Sequence, residues 1–117
     1  MTDRDAIARA VQYYIDGAKL GSSTEMRRAF HEEATIFGYE GHSLFSGPIQ
    51  RLFDWNDQNG PAPDLTANIV NIDIAGTIAT VRLEVDNWTG TDYTDLFTLL
   101  KVDGHWKITN KVFHIRT

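Results

Sequence analysis

Four polar side chains with the chemistry of a binding or catalytic site stand among apolar residues in this chain. Asp95, Lys111 and His114 lie in or beside the strongly patterned segment of residues 94–114, and Tyr14 lies in an N-terminal stretch with helical spacing. A buried carboxyl needs a partner or takes a raised pKa, and a histidine can exchange a proton near neutral pH. A catalytic role stays open, with His114 and Asp95 as the candidates for an acid or base.

Each of these side chains also has a purely structural interpretation. Tyr14 could be a core tyrosine whose hydroxyl donates to a backbone carbonyl. Asp95 could be a rim aspartate paired with a basic neighbour, although a pocket position is favoured. A structural hydrogen bond is favoured for His114, which is expected to face Tyr93 across two strands. The face of the sheet that carries Lys111 depends on a single β-bulge and stays open.

Aromatic residues are spread over the predicted hairpin, third helix and meander. Core packing explains most of them, but aromatic walls with a few polar groups also suit a flat, mostly apolar ligand. We therefore predict a ligand site that comprises Tyr14, Phe37, Tyr39, Phe53, Trp88, Asp95, Phe97, Lys111 and His114.

Several classes of site are excluded or disfavoured. The absence of cysteine excludes disulfides, thiolate metal sites and cysteine nucleophiles. His31-Glu32-Glu33 matches no metal motif, so no metal site is predicted. Serine-nucleophile, phosphate-loop and dinucleotide fingerprints are also missing, and no cofactor is expected. The net charge of −5, without a basic stripe, argues against nucleic acid and anionic membranes as partners.

Length and composition indicate a single globular domain over residues 1–117. The apolar fraction of 42% and the charged fraction of 23% are typical of a soluble protein with a real core. The N-terminus lacks a basic segment followed by an apolar block, and no apolar run reaches membrane-spanning length. A cytoplasmic location is the expectation.

Helices followed by strands are predicted to position the candidate residues. The first helix begins after a Thr2 cap and stops at Gly21, and a short second helix follows. A small hairpin at residues 35–45 precedes a third helix that opens at Gly47-Pro48. Residues 66–115 then have the pattern of an antiparallel meander, which makes the fold class α+β.

A two-residue turn at Asp103-Gly104 predicts the register of the last two strands. It sets Leu99 opposite Ile108 and Asp95 opposite Val112. One predicted face carries Val81, Leu83, Val85, Phe97, Leu99, Trp106, Ile108 and Val112, and the other carries Leu96, Thr98, Leu100, Thr109, Lys111 and Phe113. Because neither face is wholly polar, we expect helices to cover one face and a second copy of the chain to cover the other, in a homodimer.

The element order and three local strings resemble the NTF2-like superfamily. The strings are Tyr14-Ile15-Asp16-Gly17, AFHEEATIFG at residues 29–38 and DLFTLLKVDGHWKITNKVF at residues 95–113, and with their spacing they cover nearly the whole chain. Within the superfamily the chain is most similar to the bacterial lumazine-binding, SnoaL-like group. The resemblance implies a cone in which a strongly bent antiparallel sheet and three N-terminal helices enclose a pocket.

The resemblance leaves three functions open. A small-molecule-binding protein with an aromatic or heterocyclic ligand is favoured. The first alternative is a cofactor-free isomerase, dehydratase or cyclase that acts on a polyketide- or steroid-like substrate in the same pocket. The second is an interaction module, which a pocket filled by side chains would favour.

The resemblance also reaches ketosteroid isomerase, but not its activity. In that enzyme a tyrosine and a protonated aspartate form an oxyanion hole while a second aspartate moves the proton. The likeness places the tyrosine on Tyr14, the general base on Gly38, and the second acid near Thr98, three residues from Asp95. Since glycine carries no titrating group, the isomerase reaction is rejected.

Overall fold

Helices packed on one face of a six-stranded sheet form the fold, which confirms the α+β class. A computed structural model describes residues 1–117. The elements are α1 (Asp3–Leu20), α2 (Ser23–Met26) with a following 3-10 turn (Arg27–Ala29), β1 (Phe30–Glu40), β2 (Ser43–Pro48), α3 (Gln50–Asn59), β3 (Thr66–Ala75), β4 (Ile78–Trp88), β5 (Thr91–Val102) and β6 (His105–Arg116). None of the helices combines the length and apolar character that a membrane crossing requires.

The bounds of α1 follow from local signals in the sequence. The Thr2 hydroxyl accepts the backbone N–H of Asp5 at 3.1 Å, and Gly21 ends the helix with a left-handed φ of 65°. Both predicted ends of α1 are confirmed. The sequence predicts that Met26, Ala29 and Phe30 form the buried side of the second helix, but α2 ends at Met26 and Phe30 already begins β1.

The sheet is mixed, which corrects the expectation of an antiparallel one. Its strand order is β2-β1-β6-β5-β4-β3, and every neighbouring pair is antiparallel except β1 and β6. The last strand therefore returns alongside the first and runs in the same direction. The sheet stays open, with β2 and β3 at its edges.

A β-bulge in β6 changes the predicted register. Leu99 pairs with Ile108 as expected, but Thr98 pairs with Asn110, so that Thr109 is an extra residue. The Thr109 hydroxyl donates to the Thr98 carbonyl at 3.1 Å and thereby holds the irregular pair together.

Beyond the bulge, the side chains of β6 take the face opposite to the predicted one. Lys111 lies inside with 3% of its surface exposed, whereas Val112 is outside and 44% exposed. His114 pairs with Thr94 rather than with Tyr93 and is exposed on the outer side. The predicted pairs and faces were therefore wrong for this half of β6.

The core lies between the helices and the inner face of the sheet, and two close approaches fix the helices there. The side-chain amide of Asn56 in α3 donates to the Gly17 carbonyl in α1 at 3.2 Å. A Cβ atom on Gly17 would lie 2.5 Å from the Cβ of Met26, so only glycine lets α1 and α2 pack this closely.

Candidate functional site

Three buried polar side chains meet inside the core. The hydroxyl of Tyr14 on α1 donates to Asp95 Oδ2 on β5 at 2.8 Å. Nζ of Lys111 on β6 lies 3.8 Å from Asp95 Oδ1, which is too far for a hydrogen bond. Asp95 Oδ1 has no hydrogen-bond partner, and Asp95 itself is 0% exposed. We call these residues the interior cluster.

The elements bring the interior cluster together by their periodicity. Tyr14 lies on the buried face of α1, one helical turn after Val11. Asp95 has the inward orientation of Phe97 two positions later. Lys111 reaches the same place only because the bulge turns this part of β6 inward.

Burial shifts the pKa of each member of the interior cluster. It raises the pKa of the Asp95 carboxyl, an effect opposed by the charge of Lys111 and the hydrogen bond from Tyr14. It lowers the pKa of the Lys111 amine, an effect opposed by Asp95. Burial, followed by the charge of Asp95, raises the pKa of Tyr14 well above 10.0. Near neutral pH, the Lys111 amine is therefore uncharged more often than an exposed lysine.

Aromatic rings surround the Lys111 amine. Nζ lies 4.8 Å from the ring centroid of Tyr14, 5.4 Å from that of Trp88 and 5.5 Å from that of Phe113. These distances are within cation–π range, so the rings stabilise the protonated form and restrict the amine in either form. The amine donates no hydrogen bond to another residue, and Asp95 is its only ionic neighbour.

A cavity of about 60 Å³ lies beside the Lys111 side chain. Its lining is mainly apolar and consists of Ile36, Glu40, Phe45, Leu52, Trp55, Trp88, Tyr93, Lys111 and Phe113. Nε1 of Trp88 is buried and has no hydrogen-bond partner. By the same measure of volume, one water molecule needs about 10–15 Å³, so the cavity holds a few water molecules and is well below the roughly 300 Å³ of typical ligand sites.

Four of the predicted site residues lie at or next to this cavity. Trp88 and Lys111 line it, while Tyr14 and Asp95 are neighbours of Lys111 but are not part of the lining. The partner of the Tyr14 hydroxyl is the Asp95 carboxyl, rather than the backbone carbonyl of the structural interpretation.

The other predicted site residues lie elsewhere. Phe53 and Phe97 are buried core residues outside the cavity lining, with Phe97 in edge-to-face contact with Tyr14. Phe37 and Tyr39 are 44% and 62% exposed, and His114 is also exposed. Phe37, Tyr39 and His114 were predicted to belong to the ligand site, but each of them lies on the outer side of the sheet.

Sequence reasoning missed several cavity residues, of which Trp55, Tyr93 and Phe113 are the largest. Trp55 follows Leu52 by three positions, so helical spacing could have found it. Phe113 follows Lys111 by two positions and shares its face once the bulge is known.

Gly38 and Phe113 show why the isomerase base has no counterpart. A Cβ atom on Gly38 would lie 2.4 Å from a carbon of the Phe113 ring, so the ring fills the space that a side chain at position 38 would need. No group of three or more His, Asp or Glu side chains lies close enough to hold a metal ion.

Solved structures place the chain in the NTF2-like superfamily. An NTF2-like protein of unknown function from Methylobacillus flagellatus KT is 50% identical, with a TM-score of 0.96, covering 98% of this chain and 93% of that one. Another from Shewanella baltica OS155 is 42% identical, with a TM-score of 0.94, covering 98% and 94%. A ketosteroid isomerase-like protein from Erwinia carotovora atroseptica SCRI1043, 16% identical with a TM-score of 0.75 and covering 97% and 95%, shares the fold.

Sequence comparison narrows the superfamily to one family. Residues 2–114 match the family described as "Putative lumazine-binding", and the chain belongs to it. The protein named aldolase FrzH from Cladobotryum sp. is 34% identical over 114 residues, which cover 97% of this chain and 91% of that protein.

Proposed function

We propose that the protein binds a small molecule with an aromatic or heterocyclic ring in the cavity beside Lys111. The observation that carries this proposal is a buried lysine amine at the cavity wall, without a hydrogen-bond partner and among three aromatic rings. An unpaired buried polar group costs about 1–3 kcal/mol. A ligand that supplies an acceptor recovers that free energy, which gives binding its specificity.

The polar atoms at the cavity indicate the edge of the ligand. Lys111 Nζ and Trp88 Nε1 are both donors. Trp88 Nε1 is buried without a hydrogen-bond partner, and the ionic neighbour of Lys111 Nζ, Asp95 Oδ1, lies 3.8 Å away, beyond hydrogen-bond distance. They match a ring that presents carbonyl oxygens or ring nitrogens at one edge and apolar faces to the aromatic wall. Lumazine and flavin rings have these properties, and the description of the family supports the same class.

Access for such a ring requires movement at the cavity mouth. Phe45, Trp55 and Tyr93 are half-buried, and all three line the cavity. We infer that rotation of these side chains enlarges the cavity of about 60 Å³ when the ligand binds. The wall around Lys111, in contrast, is fully buried and keeps its shape.

Thermal shift and calorimetric titration with lumazine, riboflavin and naphthalene test the proposal. We expect the two heterocycles to raise Tm, and naphthalene, which lacks acceptors, to have a smaller effect. Lys111→Met should abolish the heterocycle response, while Lys19→Met, at an exposed lysine near the end of α1, should retain it. Trp88→Phe should weaken the response because it removes the second donor. A folded wild-type protein that responds to no heterocycle contradicts the proposal.

A second candidate function is a cofactor-free enzyme that acts on a carbonyl compound in the same cavity. A relative that is named an aldolase favours it, as does the interior cluster, which combines an amine, a carboxyl and a hydroxyl. With His114 on the outer side, Asp95 remains as the candidate acid or base for an isomerase, dehydratase or cyclase. Turnover of a test aldehyde that survives Asp95→Asn in a folded protein contradicts this role.

The cytoplasmic location expected from composition belongs to the same proposal. Subcellular fractionation of the producing cells tests it, and recovery of the protein outside the cytoplasmic fraction contradicts it.

A further inference from the structure

Lys111 differs from the other lysines of the chain in the features that govern amine reactivity. Lys19 and Lys101 are exposed, and Lys107 donates to a backbone carbonyl at 3.0 Å. Lys111 is buried, donates no hydrogen bond to another residue and lines a cavity. Binding alone would be served by a charged, hydrogen-bonded lysine at the rim, so an interior amine whose only ionic neighbour is Asp95 suggests covalent chemistry.

We propose that Nζ of Lys111 is a nucleophile that forms an imine with a small aldehyde or ketone bound in the cavity. This inference rests on the proposed function, because the carbonyl compound occupies the same cavity. The amine lone pair forms the C–N bond while the C=O π pair moves to oxygen, which takes a proton and gives a carbinolamine. The C–O bond then breaks, nitrogen loses its proton, and one water molecule is released as the C=N bond forms.

Asp95 is placed to move the protons of both steps. Its Oδ1 atom lies 3.8 Å from Lys111 Nζ and has no hydrogen-bond partner of its own. In the first step it can take the proton that nitrogen loses and pass it to the alkoxide oxygen, which gives the carbinolamine. In the second step it can move the remaining nitrogen proton to the departing hydroxyl, which leaves as water. The Tyr14 hydroxyl holds the other carboxyl oxygen at 2.8 Å and fixes the orientation of Asp95. Tyr14 is therefore a positioning residue.

Burial of Lys111 outweighs the opposing charge of Asp95 and favours the uncharged amine that this attack requires, although the aromatic rings stabilise the protonated form. Burial lowers the pKa of this amine, and the aromatic rings around it limit the water that would hydrolyse the imine. The cavity of about 60 Å³ limits the size of the carbonyl-bearing end of the bound compound. Since that volume holds only a few water molecules, the reacting end is a short aldehyde or ketone, and any larger part of the compound extends through the mouth.

Reductive trapping in the intact protein tests the imine. Acetaldehyde is added at low excess near neutral pH with sodium cyanoborohydride, and the alkylated peptides are quantified by mass spectrometry. The other lysine peptides of the same chain are internal controls, because exposed amines are protonated at this pH. We expect the Lys111 peptide to be alkylated at least about tenfold more than each control peptide. Alkylation of the controls without Lys111 overturns the proposal.

A variant that keeps a cation strengthens the test. Lys111→Arg cannot form an imine, so it should lose the preferred adduct while the labelling of Lys19 stays at the wild-type level. Circular dichroism checks that the variant is folded. If the variant does not fold, the comparison of peptides within the wild-type chain still decides the outcome.

Failure of the imine is distinguishable from failure of the binding function. A rise in Tm with a heterocycle, without alkylation of Lys111, supports binding and overturns the imine. Preferred alkylation of Lys111 without any response to heterocycles supports the imine and removes the aromatic ligand class. Absence of both effects overturns both proposals.

Discussion

At the scale of single residues, the hydrogen bond between Tyr14 and Asp95 is the strongest link in the interior cluster. It is buried, 2.8 Å long, and gives a carboxyl oxygen the partner that water would otherwise supply. We expect Tyr14→Phe to lower the free energy of unfolding by about 1–3 kcal/mol, because Asp95 would lose its only hydrogen bond. Chemical denaturation measures this loss.

Tyr13 provides the matched control for Tyr14→Phe. It is half-buried, its hydroxyl forms no hydrogen bond with another residue, and its ring stays available to the Arg28 guanidinium 4.0 Å away after the change to phenylalanine. Tyr13→Phe should therefore change the free energy of unfolding by less than about 0.5 kcal/mol. Equal effects at the two positions would show that the Tyr14 hydroxyl contributes little.

The shifted pKa values of Asp95 and Lys111 predict a pH dependence of stability. A carboxyl with a raised pKa in the folded state lowers stability as pH rises from 3.8 towards the raised value. An amine with a lowered pKa in the folded state lowers stability as pH falls from 10.5 towards the lowered value. The loss of stability from Asp95 and the loss from Lys111 are therefore both greatest at pH values above the range in which Asp95 titrates and below the range in which Lys111 titrates.

A neutral double variant isolates this effect. Relative to Asp95→Asn/Lys111→Met, the free energy of unfolding of the wild type should pass through a minimum between the two windows. On each side it should recover by at most about 1.4 kcal/mol per pH unit. Urea unfolding of both proteins measures the difference over a pH series that stays below 10.0, where Tyr14 remains protonated. A difference independent of pH would show that neither group titrates abnormally.

At the scale of elements, the parallel contact between β1 and β6 depends on one glycine. Gly38 pairs with Phe113, and a Cβ atom at position 38 would overlap the Phe113 ring. We expect Gly38→Ala to cost about 1–3 kcal/mol of stability through overpacking. Phe113→Leu in the same protein should relieve part of this cost, so the double variant should lose less than the sum of the single losses. Additive losses in denaturant unfolding would contradict direct contact as the cause.

The bulge in β6 is the element-scale feature that makes the interior cluster. Without Thr109 the alternation of β6 would continue, and Lys111 would point outward. The bulge also lets Asn110 reach β1, where its side-chain amide donates to the Thr35 hydroxyl at 2.9 Å. The extra residue Thr109 therefore determines on which face of the sheet the Lys111 amine lies.

At the scale of the whole molecule, an apolar row lies on the outer face of the sheet. Phe37 pairs with Val112, which pairs with Leu96, and the three are 44%, 44% and 52% exposed. A groove with a volume of about 700 Å³ lies on this face, and its lining includes Val70, Leu96 and Val112. A row of this kind is costly to leave in water, which supports the proposed homodimer through this face.

Light scattering after size-exclusion chromatography tests the homodimer. We expect the wild type to be a dimer and Leu96→Glu to be a folded monomer, since a buried carboxylate in the interface would be unpaired. Leu20→Glu is the matched control, because Leu20 is 62% exposed but lies at the end of α1, away from the sheet face. A monomeric wild type at micromolar concentration would remove the dimer.

The small cavity is also relevant to the interaction module, which is the third function that the sequence leaves open. The cavity beside Lys111 measures only about 60 Å³, and a pocket filled by side chains is the condition that favours an interaction module. If neither heterocycles nor carbonyl compounds occupy the cavity, the outer apolar row becomes the main functional surface of the molecule.

The sequence by itself determined the features that depend on near neighbours. The Thr2 cap, the stop at Gly21 and the turn at Asp103-Gly104 are encoded within a few residues, and the structure has all three. The α+β class was predicted for a similar reason, since element order is a property of the linear chain, whereas the NTF2-like fold was predicted from the resemblance of element order and local strings to that superfamily.

Only the tertiary structure decided which polar groups meet in the interior. Side chains of a strand alternate between faces, so one extra residue exchanges the faces of all that follow, and apolar spacing does not mark where it falls. The position of Thr109 is settled by long-range pairing of β6 with β5 and β1. That pairing turns Lys111 inward beside Asp95 and turns His114 outward, because partners distant in the sequence fix the register.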